Sequence, residues 1–257
     1  MPVVEAVFAG SPVWTDLTTT DMARARDFYG ALFGWTFDES SPEAYGGYTN
    51  ARKNGRLIAG VSPHHPEYGT TPNVWSLYLK SDDLEATAKA VASAGGQVLV
   101  PPMHVAPFGH MAVFMDVAQG VVGGWQPQTH HGFGLAAEQG APCWHELRTR
   151  DFAGAKAFFE KAFGWKTAMM SDTDEFRYAT LGQGDDARAG LMDGSGFLPE
   201  GVPSHWVTYW GVVDTDAACD QVKRLGGAVQ LEPVDSPYGR MASVADPMGA
   251  LFNLISV

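Results

Sequence analysis

The strongest constraint on this chain is an internal repeat, because a repeat fixes the architecture before any single motif is interpreted. Segment 12–35 recurs 130 residues later as segment 142–165, so that Phe33-Gly34-Trp35 returns as Phe163-Gly164-Trp165. The correspondence continues almost to the end of both copies. The chain therefore contains two copies of one folding unit.

The copies are separated by a stretch that has no match and is rich in small and polar residues, which is typical of a linker. We predict a first domain over 1–127, a linker over 128–141 and a second domain over 142–257. The chain has 257 residues, so each half is long enough to bury a core of its own.

The composition restricts the class of protein and its partners. With 45% hydrophobic residues and no long apolar run, the chain is expected to be globular, and its first residues do not have the pattern of a secretory signal. A formal net charge of −12 disfavours binding to a phosphate backbone. Cys143 and Cys219 have no metal-type spacing and are expected to be reduced core residues. We expect a cytoplasmic protein without membrane or nucleic-acid partners.

Within each copy, the hydrophobic pattern alternates between strand and helix periodicity. Asp21 is suited to cap a helix that runs to Phe33 and stops at Gly34. The apolar runs around Asn54-Gly55 predict a hairpin with a tight turn. The equivalent strands of the second copy are expected over 177–181 and 187–191. Each copy therefore reads as strand, helix and three strands, twice, and such paired modules can curl into a cup.

The first strand and last turn of each copy resemble the vicinal-oxygen-chelate superfamily, which includes glyoxalases, bleomycin-resistance proteins and extradiol dioxygenases. The motifs are Trp14-Thr-Asp-Leu17-Thr-Thr-Thr-Asp21, its counterpart 144–151, and the turn Asp246-Pro247-Met248-Gly249. The chain is similar to two-domain actinobacterial members, some labelled hydroxylases. The resemblance implies an α+β fold with tandem glyoxalase-like domains, in which four βαβββ modules form two cupped mixed sheets.

Metal-dependent members of this superfamily use histidine and glutamate ligands at three strand positions. Carried over to this chain, these positions fall on Trp14, Ser76 (or Trp75) and Gly123 in the first copy, and on Trp144, Val207 (or Trp206) and Asn253 in the second. None of these side chains is a plausible ligand of divalent iron, zinc or manganese. We therefore expect no metal and no other cofactor.

Side chains alternate along a strand, so one set in each copy should face the cup. In the first copy we expect Trp14, Asp16 and Tyr78 there. Asp16 is a candidate general base, because burial beside tryptophan raises the pKa of a carboxyl group. Alternatively, a neighbouring arginine or backbone donor satisfies the carboxylate. Trp14 could stack on a planar ligand or belong to the core.

The second copy offers equivalent candidates. Trp144, Tyr209 and His205 are expected to bind a ligand, with Glu146 as the candidate base. His145 should point to the opposite face.

Two loop cations are further candidates for ligand binding. Arg240 could anchor an anionic group, with His110 as its counterpart in the first copy. Alternatively, both are solvated loop side chains. The adjacent pairs His64-His65 and His130-His131 match no metal spacing and are interpreted as surface residues.

Three functional hypotheses follow. The first is a protein that binds a small, aromatic or hydrophobic metabolite without the usual metal site, as in specialised metabolism or resistance. The alternative is a glyoxalase-like lyase or a hydroxylase or dioxygenase-type enzyme, with an atypical metal site or carboxylate acid/base catalysis. The third has one copy functional and the other structural. A monomer and a homodimer are both compatible with the sequence.

Overall fold

The computed structural model describes residues 7–39, 45–65 and 73–257. The N-terminal residues 1–6, which bear on the expectation about a secretory signal, lie outside this range. In the first half the elements are β1 (Pro12–Thr19), α1 (Met22–Phe33), β2 (Thr36–Phe37), β3 (Thr49–Lys53), β4 (Arg56–Pro63), β5 (Val74–Lys80), α2 (Leu84–Ser93), β6 (Gln97–Val105), β7 (Gly109–Met115) and β8 (Val121–Pro127).

The second half repeats this order. Its elements are β9 (Pro142–Thr149), α3 (Phe152–Phe163), β10 (Thr167–Asp172), β11 (Arg177–Leu181), β12 (Ala189–Asp193), β13 (His205–Val212), α4 (Thr215–Arg224), β14 (Ala228–Ser236), β15 (Gly239–Ala245) and β16 (Leu251–Ser256). A short 3₁₀ helix, Gly184–Asp186, precedes β12. That strand begins two residues later than the sequence pattern predicted, because the 3₁₀ turn extends the connection.

Each half of the chain builds one eight-stranded sheet from its two modules. The strand order is β2-β3-β4-β1-β5-β8-β7-β6 in the first sheet and β10-β11-β12-β9-β13-β16-β15-β14 in the second. The central pair β1/β5 is antiparallel, and β1/β4 and β5/β8 are parallel. The predicted α+β fold of four βαβββ modules in two mixed sheets is confirmed. Each sheet is built entirely from strands of one chain.

The helix termini follow the predicted signals. The Asp21 side chain accepts a hydrogen bond from the Arg24 amide at 3.0 Å, and Gly34 ends the helix with φ 70°. Asp151 and Gly164 do the same in the second copy. A left-handed φ costs glycine little, so both helices stop at the same point before Trp35 and its counterpart.

The helices of one copy pack against the other copy. Phe33 and Trp35 contact Trp210, with ring centroids 5.9 and 4.9 Å apart, and Phe28 packs on Phe252. These residues belong to one core cluster that joins α1 to α4. A second cluster joins α2 to α3. The core is therefore shared between the copies, and the opposite face of each sheet is left for other contacts.

A polar chain crosses the same interface. The Trp75 indole donates to the Tyr29 hydroxyl, which donates to Asp246 Oδ2, both at 3.1 Å. Asp246 also accepts from the amides of Met248 and Ala250. The aspartate of the last turn in the second copy is thus tied to helix α1 of the first.

Segment 128–141 is packed against both halves. The Phe133 amide donates to the Val13 carbonyl, and the Gly140 amide donates to the Gly211 carbonyl. Leu135 is fully buried. The domain limits 1–127 and 142–257 remain a prediction, but the segment between them is part of the folded structure. In the described ranges, no helix is long and apolar enough to cross a membrane.

The shared core predicts that both halves unfold together. Phe252→Ala removes a fully buried ring that contacts α1, so it should lower the free energy of unfolding by about 3–5 kcal/mol. Denaturant unfolding monitored by circular dichroism measures this change. Leu251→Ala is the matched control, because Leu251 is 52% exposed. A second transition appearing in Phe252→Ala, with half of the signal unchanged, would contradict the shared core.

Candidate functional site

The first sheet encloses a cavity of about 700 Å³ on the face opposite its helices. Its aromatic lining residues are Trp14, Tyr45, Tyr48, Tyr78, Phe108 and Trp125. Asp16, Thr18 and Ser76 lie on the same wall, as the alternation along β1 and β5 predicts. This space, called the first cup below, has the size and apolar character of a small-molecule site.

Asp16 is the polar centre of the first cup. Its Oδ1 atom accepts hydrogen bonds from Trp14 Nε1 at 2.7 Å and from the Tyr48 hydroxyl at 2.8 Å. The Trp14 indole is also 2.9 Å from the Tyr48 hydroxyl. Gly60 lies opposite Asp16 on β4, and a Cβ atom there would be 2.0 Å from the Tyr48 hydroxyl. A glycine at this position therefore lets the tyrosine reach the carboxylate.

Burial raises the pKa of Asp16 from 3.8 to about 6, although hydrogen bonds from Tyr48, Tyr78 and Trp14 act in the opposite direction. None of the residues lining the first cup, in the part of the chain that the structure describes, is an arginine or lysine. The carboxyl group is thus close to half protonated at slightly acidic pH. It can accept or donate a proton there without a large energetic cost.

Tyr48 was missed by reasoning from the first strand alone. A signal for it exists, because Tyr48 and Tyr178 are 130 residues apart and so occupy the same place in the repeat. Gly60 and Gly190 share this spacing. In the second copy the Trp144 indole donates to the Tyr178 hydroxyl at 2.8 Å, which repeats the Trp14–Tyr48 contact.

His130 also lines the first cup, and its interpretation as a chance surface residue is wrong. Its ring packs edge-on against Trp14 and Trp125, with centroids 4.4 and 5.5 Å apart. Burial lowers the pKa of His130 to about 4. His64 and His65 lie along the same cavity. No repeat or periodicity marks His130, because it lies in the unmatched segment between the copies.

In the second copy the equivalent carboxylate is paired with a cation. Glu146 is 3% exposed, and its Oε1 accepts from Arg148 Nε and from the Tyr209 hydroxyl, both at 3.1 Å. Its Oε2 accepts from the Tyr178 hydroxyl at 3.1 Å. Asn253, with its amide oxygen turned toward Arg148, accepts from Arg148 Nη2 at 3.0 Å. This buried network satisfies the carboxylate with neighbouring side chains.

The carboxylate sites of the two copies differ in the side chain two residues after the carboxylate. Arg148 follows Glu146 by two residues, and the residue with the same spacing from Asp16 is Thr18. The cation that neutralises the second carboxylate is therefore replaced by a neutral hydroxyl group in the first cup. The carboxylate at this position is paired with an arginine in the second copy, whereas no lysine or arginine is among the described residues that line the first cup.

His205 and Tyr209 lie with the Glu146 network. His205 faces Arg148 across the β9–β13 register, and its Nδ1 is 3.0 Å from the Pro203 carbonyl oxygen. Burial lowers the pKa of His205. His145 faces away, as expected, and contacts Thr208 at 3.1 Å.

Arg240 and His110 do not lie with these residues, which corrects their interpretation as ligand anchors. Met111 lines the first cup, so its neighbour His110 projects to the other side of β7, where its ring stacks on His104. Arg240 likewise projects away from the cluster around Tyr209. It forms ion pairs with Asp216 at 2.5 Å and Asp235 at 3.0 Å.

A family model for the glyoxalase/bleomycin resistance protein/dioxygenase superfamily matches residues 11–122 and again residues 143–254. The chain belongs to this superfamily. Among curated relatives, CFP32 of Mycobacterium tuberculosis, whose name places it among the glyoxylases, is 36% identical and covers 99% of this chain and 98% of its own length. DnrV of Streptomyces peucetius, an anthracycline biosynthesis protein, is 34% identical over 96% of this chain and 94% of DnrV.

Solved structures support the fold of this superfamily member. The Mn(II)-bound glyoxalase from Novosphingobium aromaticivorans superposes with a TM-score of 0.66 at 13% identity, covering 96% of this chain and 82% of that chain. The 2,3-dioxygenase LapB from Pseudomonas sp. KL28 gives the same TM-score and identity, covering 98% and 94%. At this level of identity the likeness shows a common fold.

The superfamily's metal positions do not suit a divalent ion in this chain. In the first cup they hold an indole, a serine hydroxyl and a glycine, and Trp14 Nε1 is engaged as a donor to Asp16. Over residues 7–39, 45–65 and 73–257 the structure brings together no group of three or more histidine, cysteine or acidic residues suited to a metal. Asp16 and its aromatic neighbours are the groups that the described lining offers to a ligand.

The raised pKa of Asp16 predicts a pH-dependent stability difference. The folded chain binds the Asp16 proton more tightly than the unfolded chain does. The protonated Asp16 therefore stabilises the fold fully below pH 3.8, and this stabilisation is lost as pH rises through about 6. Asp16→Asn does not titrate, so its Tm relative to wild type should increase between pH 4 and 7. Thermal unfolding across this range measures the difference.

Asp27→Asn removes an exposed carboxylate from helix α1 and controls for the loss of one charge. If the Tm difference of Asp16→Asn is constant with pH, or is matched by Asp27→Asn, the raised pKa of Asp16 is wrong.

Proposed function

We propose that this superfamily member binds a planar aromatic small molecule in its first cup and does so without a metal ion. The observation that carries the proposal is a cavity of about 700 Å³ with aromatic walls around the Asp16 carboxyl group, which no lysine or arginine of the described lining neutralises. An aromatic ligand buries apolar area there, and Asp16 fixes its orientation through a hydrogen bond.

The names of the relatives support an aromatic ligand. DnrV is an anthracycline biosynthesis protein, and structural neighbours include a catechol 2,3-dioxygenase. Asp16 suits such compounds because its protonated form donates to a carbonyl oxygen and its ionised form accepts from a phenolic hydroxyl. We place the protein in the cytoplasm, as a monomer or homodimer.

We assign a structural role to the second carboxylate site. A buried carboxylate with an arginine and two tyrosine hydroxyls already has its hydrogen-bond partners, so a ligand would have to displace them. Trp144, Tyr209 and His205 then hold this network rather than a ligand. This assignment corresponds to the hypothesis of one functional and one supporting copy.

A single substitution should give the first cup a carboxylate–arginine pair like the one between Glu146 and Arg148. Thr18→Arg places a guanidinium group next to Asp16, where it fills part of the cavity and pairs with the carboxylate. Binding of 2-hydroxyfluorene, measured by isothermal titration calorimetry, should weaken by at least about tenfold. The apolar three-ring probe tests the binding of planar aromatics directly.

Thr20→Arg is the matched control, because Thr20 is exposed at the end of β1 and outside the cavity lining. It should bind the probe like wild type. Wild-type protein that binds no planar aromatic probe would refute the proposed function. Binding that Thr18→Arg leaves unchanged would place the ligand elsewhere.

The pKa of Asp16 near 6 favours a second candidate function, acid/base catalysis on the bound molecule. The ionised carboxylate would remove a proton from carbon next to a carbonyl group, and the resulting enolate would take a proton back from solvent or from Asp16. This exchange needs no oxidant and leaves the carbon skeleton unchanged. Asp16 rather than Glu146 would act, because Glu146 is held by Arg148.

Deuterium uptake into 2-tetralone in D₂O, followed by NMR, tests this catalysis. The wild-type rate should rise as pH increases through about 6, and Asp16→Asn should lose roughly 10²-fold or more of the catalysed rate. Glu146→Gln, folded as judged by circular dichroism, should retain it. Equal loss in both variants, or no rate above buffer in wild type, would exclude Asp16 as the base.

A further inference from the structure

We infer that Tyr45 and Phe108 form a roof over the first cup and make it selective for flat ring systems. The inference rests on the proposed function and narrows the ligand to aromatic rings without substituents above or below the ring plane. The roof covers the outer face of such a ligand, and the central strands β1 and β5 support its inner face.

The contact between these two rings joins opposite ends of the first sheet. Tyr45 lies in the connection between β2 and β3, and Phe108 lies in the turn between β6 and β7. In the strand order of this sheet, β2 and β6 are the two terminal strands. The ring centroids are 5.5 Å apart, and the Tyr45 hydroxyl donates to the Ala106 carbonyl at 3.3 Å. Since both residues also line the cavity, their contact spans the cup rather than the helix-bearing face.

The floor of the cup lies on the central strands. Trp14 and Asp16 belong to β1, and Tyr78 faces Trp14 on the neighbouring strand β5. Trp14 is 4% exposed, whereas Tyr45 is 43% exposed. A ligand bound beside Asp16 therefore lies between the buried floor and the more exposed roof. Aromatic side chains on both faces favour a flat ring system over one that carries groups out of its plane.

Backbone hydrogen bonds hold both sides of the roof. The Phe108 carbonyl accepts from the amides of Gln128 and His130 at 2.9 and 3.1 Å. The Tyr45 carbonyl accepts from the Tyr48 amide at 3.1 Å. Because the two main-chain segments are already fixed, the roof adds contact area at a small cost in conformational entropy when a ligand binds.

The second copy differs at both positions of the roof. The equivalent positions, 130 residues further along the chain, hold Glu175 and Tyr238. Glu175 has no ring and is exposed, and Tyr238 is 73% exposed. The neighbouring Phe176 stacks on Tyr178 of the same hairpin, with ring centroids 5.6 Å apart. The contact across the cup thus occurs in the copy for which we propose a ligand.

Two matched probes test the inference by isothermal titration calorimetry. 2-Hydroxyfluorene is flat, and 9,9-dimethyl-2-hydroxyfluorene carries one methyl group on each side of the same ring plane. Wild type should bind the flat probe at least about tenfold more tightly, because the added methyl groups overpack a site that is covered on both faces. Tyr45→Ala removes one ring of the roof and should reduce this preference by about three- to tenfold. Phe108→Ala should have the same effect.

Tyr238→Ala is the matched control, because it removes an exposed ring from the equivalent turn of the second copy. It should retain the wild-type preference. Wild type that binds the dimethyl probe as tightly as the flat one, or more tightly, would overturn the roof but not the proposed function. A preference that Tyr45→Ala and Phe108→Ala leave unchanged would do the same. Wild type that binds neither probe would overturn both.

A measurement on wild-type protein covers the case in which Phe108→Ala does not fold. Nuclear Overhauser effects between a bound ligand and assigned ring protons identify the rings that lie next to the ligand. Bound 2-hydroxyfluorene should show such effects to Tyr45 and Phe108 but not to Tyr238. A bound probe without an effect to either ring of the roof would contradict the inference.

Discussion

The packing of each copy's helices against the other copy is the constraint on which the rest of this structure depends. An amphipathic helix has to cover its apolar stripe. Here α1 covers it against its own sheet, α4 and the second sheet, and α2 covers it against its own sheet and α3. The helix-bearing face of each sheet is thereby occupied. Only the opposite faces remain available for a cavity, which is why both sets of candidate residues lie on strands.

Within this frame, the two copies show how one side chain decides the electrostatics of a site. Asp16 and Glu146 occupy equivalent positions and each contacts a tyrosine from the neighbouring hairpin. Arg148 gives Glu146 a counter-charge, whereas Thr18 gives Asp16 none. An unpaired buried carboxylate is held at a cost in stability, and such a cost is typical of sites kept for binding or chemistry.

The sequence was sufficient for the fold and for much of the first cup. Caps at Asp21 and Gly34 gave the helix limits, and strand alternation placed Trp14, Asp16 and Tyr78 on one face. The direction of the Arg240 and His110 side chains was predicted wrongly. Each residue lies near the start of a strand after a turn, where a shift of one residue in the predicted strand moves the side chain to the opposite face of the sheet. His130 could not be found, since only the tertiary path of segment 128–141 brings it to the cavity.

The shared core also makes the shape of each half depend on the other. Residues of the second copy, such as Trp210 and Phe252, support the helix that lies behind the first sheet. Because packed interiors transmit small displacements, the shape of the first cup depends on side chains from the other half of the polypeptide. Adaptation to a new ligand can therefore arise through substitutions far from the cavity. A copy that binds no ligand would then still shape the cavity of the other copy, because that cavity is built on it.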